Sequence, residues 1–193
     1  LGANTTASNN TAVGRSALEA NTTGANNTAV GHSSLLANTT GAENVALGDA
    51  SLQTNTTASY NTAVGRASLL LNTTGANNTA TGYKALRANT TASNNTAVGY
   101  SALLANTTGD QNVAVGANAG LSVTTGVQNT LIGYLAGDAL TDADYNVALG
   151  ATALGADTLG SRAVAIGRNA LSAQNFTSAT DNYNVAVGFS AGA

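Results

Sequence analysis

A short alternation of polar and apolar residues recurs along the chain every seventeen residues. At its centre is a Gly. Before it stand Asn, then Thr or Val, then Ala, then Val, Leu or Ile, and a Leu follows four residues after it. A fixed short period is typical of architectures that stack one supersecondary unit. We call residues that share a place in successive repeats a column. The recurring Gly occupies Gly14, Gly31, Gly48, Gly65, Gly82, Gly99, Gly116, Gly133, Gly150 and Gly167, with Gly188 after a longer spacing.

Two columns before this Gly are rich in β-branched residues and predict a short strand. Strand side chains alternate between faces, so both columns share one face, which we expect to line the interior of a coil. The valine column, directly before the Gly, is Val13, Val30, Leu47, Val64, Thr81, Val98, Val115, Ile132, Leu149, Ile166 and Val187. The threonine column, three places before it, is Thr11, Thr28, Val45, Thr62, Thr79, Thr96, Val113, Thr130, Val147, Val164 and Val185.

The alanine column lies between these two and is predicted to point to the opposite face. A strand position that faces water normally accepts long polar side chains. This column stays small and apolar, with Leu131 as its exception. We therefore expect a second chain to pack against it. The candidate trimer-interface residues are Ala12, Ala29, Ala46, Ala63, Ala80, Ala97, Ala114, Ala148, Ala165 and Ala186.

Two further columns predict scaffold chemistry. The asparagine column, four places before the Gly, is expected to hydrogen-bond from coil to coil. The leucine column, four places after the Gly, is expected to close a narrow core, and the Gly to turn the chain at positive φ, where a Cβ would clash. The asparagine column is Asn10, Asn27, Asn44, Asn61, Asn78, Asn95, Asn112, Asn129, Asn146 and Asn184. The leucine column is Leu18, Leu35, Leu52, Leu69, Leu86, Leu103, Leu154 and Leu171, with Gly at 120, 137 and 192.

The predicted fold is all-β: a parallel β-solenoid of seventeen-residue coils in a single domain over residues 1–193. Regular coils are expected over 4–173 and an irregular coil with an insertion over 174–193. The Asn-Thr-Thr segments leave no room for capped helices. Each coil should rise about 4.8 Å, so the coils predict a rod of about 50 Å. Because the chain opens in mid-pattern, we expect a fragment of a longer fibre.

Composition removes several classes of function. Lys and Arg total six and the formal net charge is −3, so we expect no nucleic-acid partner. No apolar run reaches the roughly 20 residues that a membrane span requires. His32 is the single histidine and no pair of carboxylates recurs, so we expect no enzyme, no metal and no cofactor. A loop is the interpretation that we favour for Asp138, Asp142 and Asp144.

The motif Asn44-Val45-Ala46-Leu47-Gly48 resembles the head repeats of YadA-like trimeric autotransporter adhesins. The run from Asn89 to Leu103 looks even more like repeats in bacteriophage tail-fibre proteins. These resemblances imply a left-handed parallel β-roll, three chains about one axis and a shaft that displays receptor-binding surfaces. They leave open which of the two families applies.

The display column, directly after the Gly, varies within a regular frame and is therefore expected to face outward. Tyr83 and Tyr100 lie on adjacent coils, with Lys84 and Arg87 nearby, and predict an aromatic platform for a sugar or peptide. The insertion brings further aromatic side chains. The candidate receptor-facing residues are Tyr83, Lys84, Arg87, Tyr100, Tyr134, Phe176 and Tyr183.

These features together predict a non-enzymatic, homotrimeric shaft of an extracellular fibre that binds a glycan or protein receptor on a host surface. Its expected place is a virion tail fibre or a bacterial cell surface, without direct membrane insertion. A monomeric solenoid that binds ice or polysaccharide is the alternative. Adjacent Thr residues such as Thr22 and Thr23 face opposite sides of a strand, so such pairs do not supply a flat two-column Thr array.

Overall fold

The computed structural model describes residues 2–193, and every regular element within them is a β-strand. Nothing in this range forms a helix suited to crossing a membrane. The strands are β1 (Thr11–Val13), β2 (Thr28–Val30), β3 (Val45–Leu47), β4 (Thr62–Val64), β5 (Thr79–Thr81), β6 (Thr96–Val98), β7 (Val113–Val115), β8 (Thr130–Ile132), β9 (Val147–Leu149), β10 (Gly160–Ser161), β11 (Val164–Ile166), β12 (Thr180–Asp181) and β13 (Val185–Val187).

Eleven of these strands form one parallel sheet, in which the order in space follows the order in the chain: β1 to β9, then β11 and β13. Each residue pairs with its equivalent one repeat later, as Ala12 does with Ala29. The longer last repeat keeps this register, since Ala165 pairs with Ala186. A parallel β-solenoid is therefore confirmed, with ten turns between its first and last strands.

The recurring Gly forms the corner that follows each strand, as its spacing predicts. Gly48 has φ 137°, in the region that favours glycine. A Cβ on Gly48 would lie 2.6 Å from the backbone oxygen of Gly65 in the next coil. Both the conformation and the close approach therefore require Gly here.

The alanine column points into the coil, and its predicted outward orientation is wrong. From Ala29 to Ala165 these side chains are completely buried within a single chain. The interior is so narrow that a methyl group fills the space opposite the leucine column. The candidate interface residues that thus belong to the coil core are Ala12, Ala29, Ala46, Ala63, Ala80, Ala97, Ala114, Ala148, Ala165 and Ala186. The predicted interior position of the threonine and valine columns is wrong for the same reason: both face outward.

The leucine column closes the core as predicted. Leu18, Leu52 and Leu103 have no exposed surface. Each leucine in this column has a φ near 50°, for example 49° at Leu52, which is unusual for a branched side chain. No strand forms here; the leucines lie in turns.

Leu131, a large side chain in the alanine column, compensates for small residues in the leucine column. Gly120 and Gly137 occupy that column on either side of it. A Cβ on Gly120 would lie 2.8 Å from Leu131 Cδ1, and a Cβ on Gly137 would lie 2.8 Å from Leu131 Cδ2. The larger side chain at 131 thus fills the volume that the two glycines leave empty.

The asparagine column forms the predicted coil-to-coil ladder. The backbone N–H of Asn61 donates to Asn44 Oδ1 at 3.0 Å, while Asn44 Nδ2 donates to the carbonyl of Ala58 at 2.9 Å. These side chains are buried, so the ladder satisfies polar groups that water does not reach.

A second buried ladder runs through the first residue of Asn-Thr-Thr. Asn38 Nδ2 donates to Asn21 Oδ1 at 2.8 Å and to the carbonyl of Gly41 at 2.9 Å. We call it the inner asparagine ladder; its members are Asn4, Asn21, Asn38, Asn55, Asn72, Asn89 and Asn106. The recurrence of Asn at this place from Asn4 to Asn106 is the signal for this ladder in the sequence.

The insertion folds back against the preceding coil. Its strand β12 pairs in parallel with β10. Asp157, which is buried, accepts hydrogen bonds from the backbone N–H groups of Gly160 and Phe176 and from Gln174 Nε2. One carboxylate therefore ties the insertion to the solenoid.

Candidate functional site

The threonine and valine columns form one long surface, which we call the outer sheet face. Its 22 positions in the eleven-stranded sheet carry only Thr, Val, Ile and Leu, with no charged residue. Val98 in the middle of the sheet is 37% exposed and Leu149 is 43% exposed. Solvent-facing strands usually carry polar and charged side chains, so this face resembles a surface that meets a partner.

The outer sheet face is also regular and extended. Three residues of a strand span about 10 Å, and eleven strands at about 4.8 Å cover about 50 Å. The face thus offers about 500 Å², and two such faces together approach the roughly 1,000 Å² that a specific interface buries. Its size is therefore in the range of a surface that a partner covers.

The display column forms a linear ladder of surface contacts along the rod. His32 Nδ1 lies 3.0 Å from Asp49 Oδ1, and Arg66 Nε donates to Asp49 Oδ2 at 3.2 Å. The Arg66 guanidinium lies 5.9 Å from the centre of the Tyr83 ring, which in turn stacks on Tyr100 at 5.3 Å. The predicted platform therefore exists, and it continues a row of charged partners.

The electrostatics of this ladder follow from its contacts. Hydrogen bonds from His32 and then Arg66 hold the pKa of Asp49 below its usual value. A hydrogen bond from Lys84, together with its positive charge, lowers the pKa of Tyr83. Neither group is fully buried, so these contacts orient side chains more than they stabilise the fold.

The cations at the platform differ in part from the prediction. Lys84 Nζ lies 5.0 Å from the centre of the Tyr83 ring, as the sequence suggested. The second cation over this ring is Arg66 rather than Arg87. Arg66 holds the same column position one coil earlier, and stacking brings column neighbours closer than residues four apart in the chain.

Tyr134 stands apart from the stacked pair. It is 57% exposed and has Ala117 and Ala151 as its neighbours in the display column. Tyr100 is similarly exposed, at 56%. In the display column, only the methyl group of Ala117 therefore lies between Tyr100 and Tyr134.

The insertion assembles a second cluster around Arg162. Its guanidinium lies 4.5 Å from the centre of the Tyr145 ring and 5.9 Å from that of Tyr183, and its Nε forms an ion pair with Asp181 Oδ2 at 3.0 Å. The carboxylate of Asp181 beside the guanidinium raises the pKa of Arg162. Tyr183 is exposed, as predicted.

Phe176 is less available than the sequence suggested. It is half-buried, and a Cβ on Gly160 would lie 2.8 Å from its ring. The insertion uses this ring to pack onto the preceding coil. Arg162 was not among the predicted site residues, because its partners come together only through the pairing of β12 with β10.

The remaining candidates do not converge. Within residues 2–193, no group of His and acidic residues is placed to hold a metal ion. Asp142 accepts a hydrogen bond from the Thr125 hydroxyl, whereas Asp144 accepts one from the backbone N–H of Val127. Burial raises the pKa of Asp138, which lies on a different column.

The Asn-Thr-Thr threonines likewise present a single outward column. The Thr22 hydroxyl donates to the carbonyl of Thr39 in the next coil at 3.0 Å, while Thr23 is exposed. The first Thr of each pair thus binds the backbone of the next coil.

Comparison of the chain with protein-family models, with curated proteins and with solved structures finds no match in any of the three.

Proposed function

We propose that this chain is part of the shaft of a homotrimeric extracellular fibre, either a phage tail fibre or a bacterial surface adhesin, that attaches to a host surface. The shaft is non-enzymatic and acts through repeated geometry. Three copies multiply weak receptor contacts through effective concentration. Its receptor is a glycan or protein on the host surface.

The observation that supports assembly is the outer sheet face. Its strand positions face water but carry no charge along the whole rod, which favours a covered face. We assign further copies of the same chain as the cover. Apolar columns of one coil spacing match those of a second copy in length and in period.

The display column supports attachment. It borders the outer sheet face across the corner Gly and carries the exposed side chains that differ from coil to coil. Aromatic rings and cations in this column are typical of recognition surfaces. Assembly through the sheet face would leave the display column at the rim of the interface.

Light scattering and sedimentation test the assembly. The unaltered chain is expected to have three times the monomer mass. Val98→Lys with Val115→Lys should reduce this mass, because association would bury two unpaired charges. The matched control is Thr91→Lys with Thr108→Lys, which adds the same charges at exposed positions away from the face. A stable monomer for the unaltered chain, or loss of assembly in both variants alike, contradicts the proposal.

The outer sheet face also supports the alternative of a monomer that binds ice or polysaccharide. Its two columns run side by side on a regular lattice, a geometry that the Thr-Thr pairs lack. Thermal hysteresis of a monomeric chain, lost in Val98→Lys with Val115→Lys, would favour ice binding. A trimer without thermal hysteresis supports the fibre.

A further inference from the structure

We propose that the gap between Tyr100 and Tyr134 binds one neutral pyranose ring of a glycan. This inference rests on the proposed attachment function and names the class of receptor. The gap, which we call the Tyr slot, has the two tyrosines as walls and Ala117 as its floor. It lies in the display column at the rim of the outer sheet face.

The spacing of the walls follows from the coil. Tyr83 and Tyr100, one coil apart, have their ring centres 5.3 Å apart and their planes within 21°. Rings in this column therefore stack along the rod axis. Tyr134 lies two coils beyond Tyr100, at a distance of about 10 Å along the axis. A ring inserted midway would lie about 5 Å from each wall, within the 4.5–7 Å typical of stacked rings.

The availability of the walls supports the slot. One face of Tyr100 is covered by Tyr83, and the other faces the place above Ala117. Tyr134 has alanine on both sides in its column. Both tyrosines are more than half exposed. The slot therefore lies between two exposed tyrosines, with no other aromatic residue between them in the display column.

A sugar suits this slot better than an aromatic side chain of a protein. Asn118 directly follows Ala117, and within residues 2–193 only its backbone takes part in hydrogen bonds. Its amide offers two donors and one acceptor beside the floor. A pyranose presents C–H groups on its faces and hydroxyls at its edge, so it uses the rings and the amide together. An aromatic side chain would leave the amide without a role.

The surroundings favour a neutral sugar. The nearest cations in the display column are Arg66 and Arg168, each three coils from Ala117. Arg66, together with Lys84, already lies over Tyr83, and Arg168 lies over Phe189. The positions that flank the slot carry no charge: Val98, Val115, Ile132, Ser101, Asn118 and Leu135. A carboxylated sugar would find no ion pair there.

Ligand-observed NMR with the methyl pyranosides of glucose, galactose and mannose tests the slot. We expect saturation transfer to at least one pyranoside in the millimolar range. Ala117→Tyr fills the slot and Tyr134→Ala removes a wall, so each should abolish the transfer. Ala151→Tyr is the matched control, because it makes the same change two coils further on. Tyr60→Ala removes an equally exposed ring outside the display column.

Every outcome decides the inference. Loss of transfer in Ala117→Tyr and Tyr134→Ala, with transfer retained in both controls, supports it. Transfer that survives Ala117→Tyr overturns it, as does binding of p-cresol and indole without any pyranoside, which would indicate an aromatic protein ligand. Preferential binding of methyl glucuronide would overturn the assignment to a neutral sugar.

Failure of the slot is distinguishable from failure of the fibre. The mass of each variant and its attachment to host cells are measured on the same samples. A trimer that attaches equally well with Ala117→Tyr contradicts the slot but leaves the fibre proposal intact. A monomer that binds pyranosides through Tyr100 and Tyr134 contradicts the fibre instead.

Discussion

Two stretches of the rod fill the same cross-section in different ways. The regular coils, residues 21–106, combine an alanine and a leucine from the core columns with the inner asparagine ladder. The exchanged coils, residues 116–140, place Gly in the leucine column, Leu131 in the alanine column, and Val123 and Leu140 in the ladder column. Both stretches keep the same strand register. The fold therefore requires a conserved interior volume and allows the identity of each column to change.

The comparison also separates two ways of filling the ladder column. In the regular coils each asparagine donates to its neighbour and to a carbonyl. At the boundary, Val123 replaces the next asparagine, and the buried Oδ1 of Asn106 has no hydrogen-bond partner within residues 2–193. The polar ladder thus ends at a cost, which the apolar contacts of Val123 and Leu140 offset.

The largest expected effect concerns Leu131, on which the exchanged coils depend. Leu131→Ala should lower the free energy of unfolding by about 2–5 kcal/mol, because Gly120 and Gly137 supply no side chain to fill the cavity. Denaturant unfolding with hydrogen exchange measures this loss. Leu104→Ala, at a half-buried leucine outside the core cluster, is the control and should cost less.

A second substitution sharpens the same comparison. Leu131→Ala with Gly120→Leu re-creates the regular pair, and Gly120 already has φ 59°, close to that of the leucine column. We expect the double variant to recover part of the lost stability. Destabilisation greater than that of Leu131→Ala alone would mean that volume exchange does not explain these coils.

A smaller effect is expected in the ladder column. Asn72→Ala removes donors to Asn55 Oδ1 and to the carbonyl of Gly75, and leaves Asn89 Nδ2 with one acceptor fewer. The expected loss is about 2–3 kcal/mol. Val123→Asn should lie within about 1 kcal/mol of the unaltered chain, because it gives Asn106 Oδ1 a donor while it loses apolar burial.

Hydrogen exchange of the flanking coils separates these two substitutions. Faster exchange should spread from Asn72→Ala, whereas Val123→Asn should extend the ladder without such spreading. Equal losses in both variants would show that the ladder hydrogen bonds contribute nothing specific to the regular coils.

The smallest expected effect is the pH dependence of Asp138, at the end of the exchanged coils. Burial raises its pKa above the usual 3.8, so the folded state favours the neutral form. Its contribution to stability is therefore present below the unfolded pKa and is lost as pH rises through the folded pKa. Asp138→Asn should raise Tm slightly at pH 7 and leave it unchanged at pH 3. An equal rise at both pH values would indicate a cause other than ionisation.

Much of the scaffold could be predicted from the sequence. The corner Gly, the buried leucines and the asparagine column follow from the period and from the conformational freedom of each residue type. Alternation alone left two candidate interiors for each strand, and the preference for large apolar cores selected the wrong one. The exceptions at Gly120, Leu131 and Gly137 indicate the correct interior. Residues that compensate for each other in volume must face the same interior, so the alanine column lies on the same side as the leucine column.

The candidate site was predictable where column neighbours form it. Tyr83, Lys84 and Tyr100 come together because stacking repeats the same position every coil. Arg66 and Arg162 were not predicted, because the first acts from a preceding coil and the second through the pairing of the insertion. Contacts between a regular coil and a coil of different length can be identified only once the fold is known.

The left-handed backbone of Leu52 and its column mates bears on how the rod grows. Each such residue costs roughly 1–2 kcal/mol in an isolated chain, and each regular coil holds three non-glycine residues with positive φ. A lone coil therefore has little tendency to form. A coil laid against a finished neighbour recovers the cost through its ladders. The rod therefore grows by templating, in which each folded coil stabilises the folding of the next.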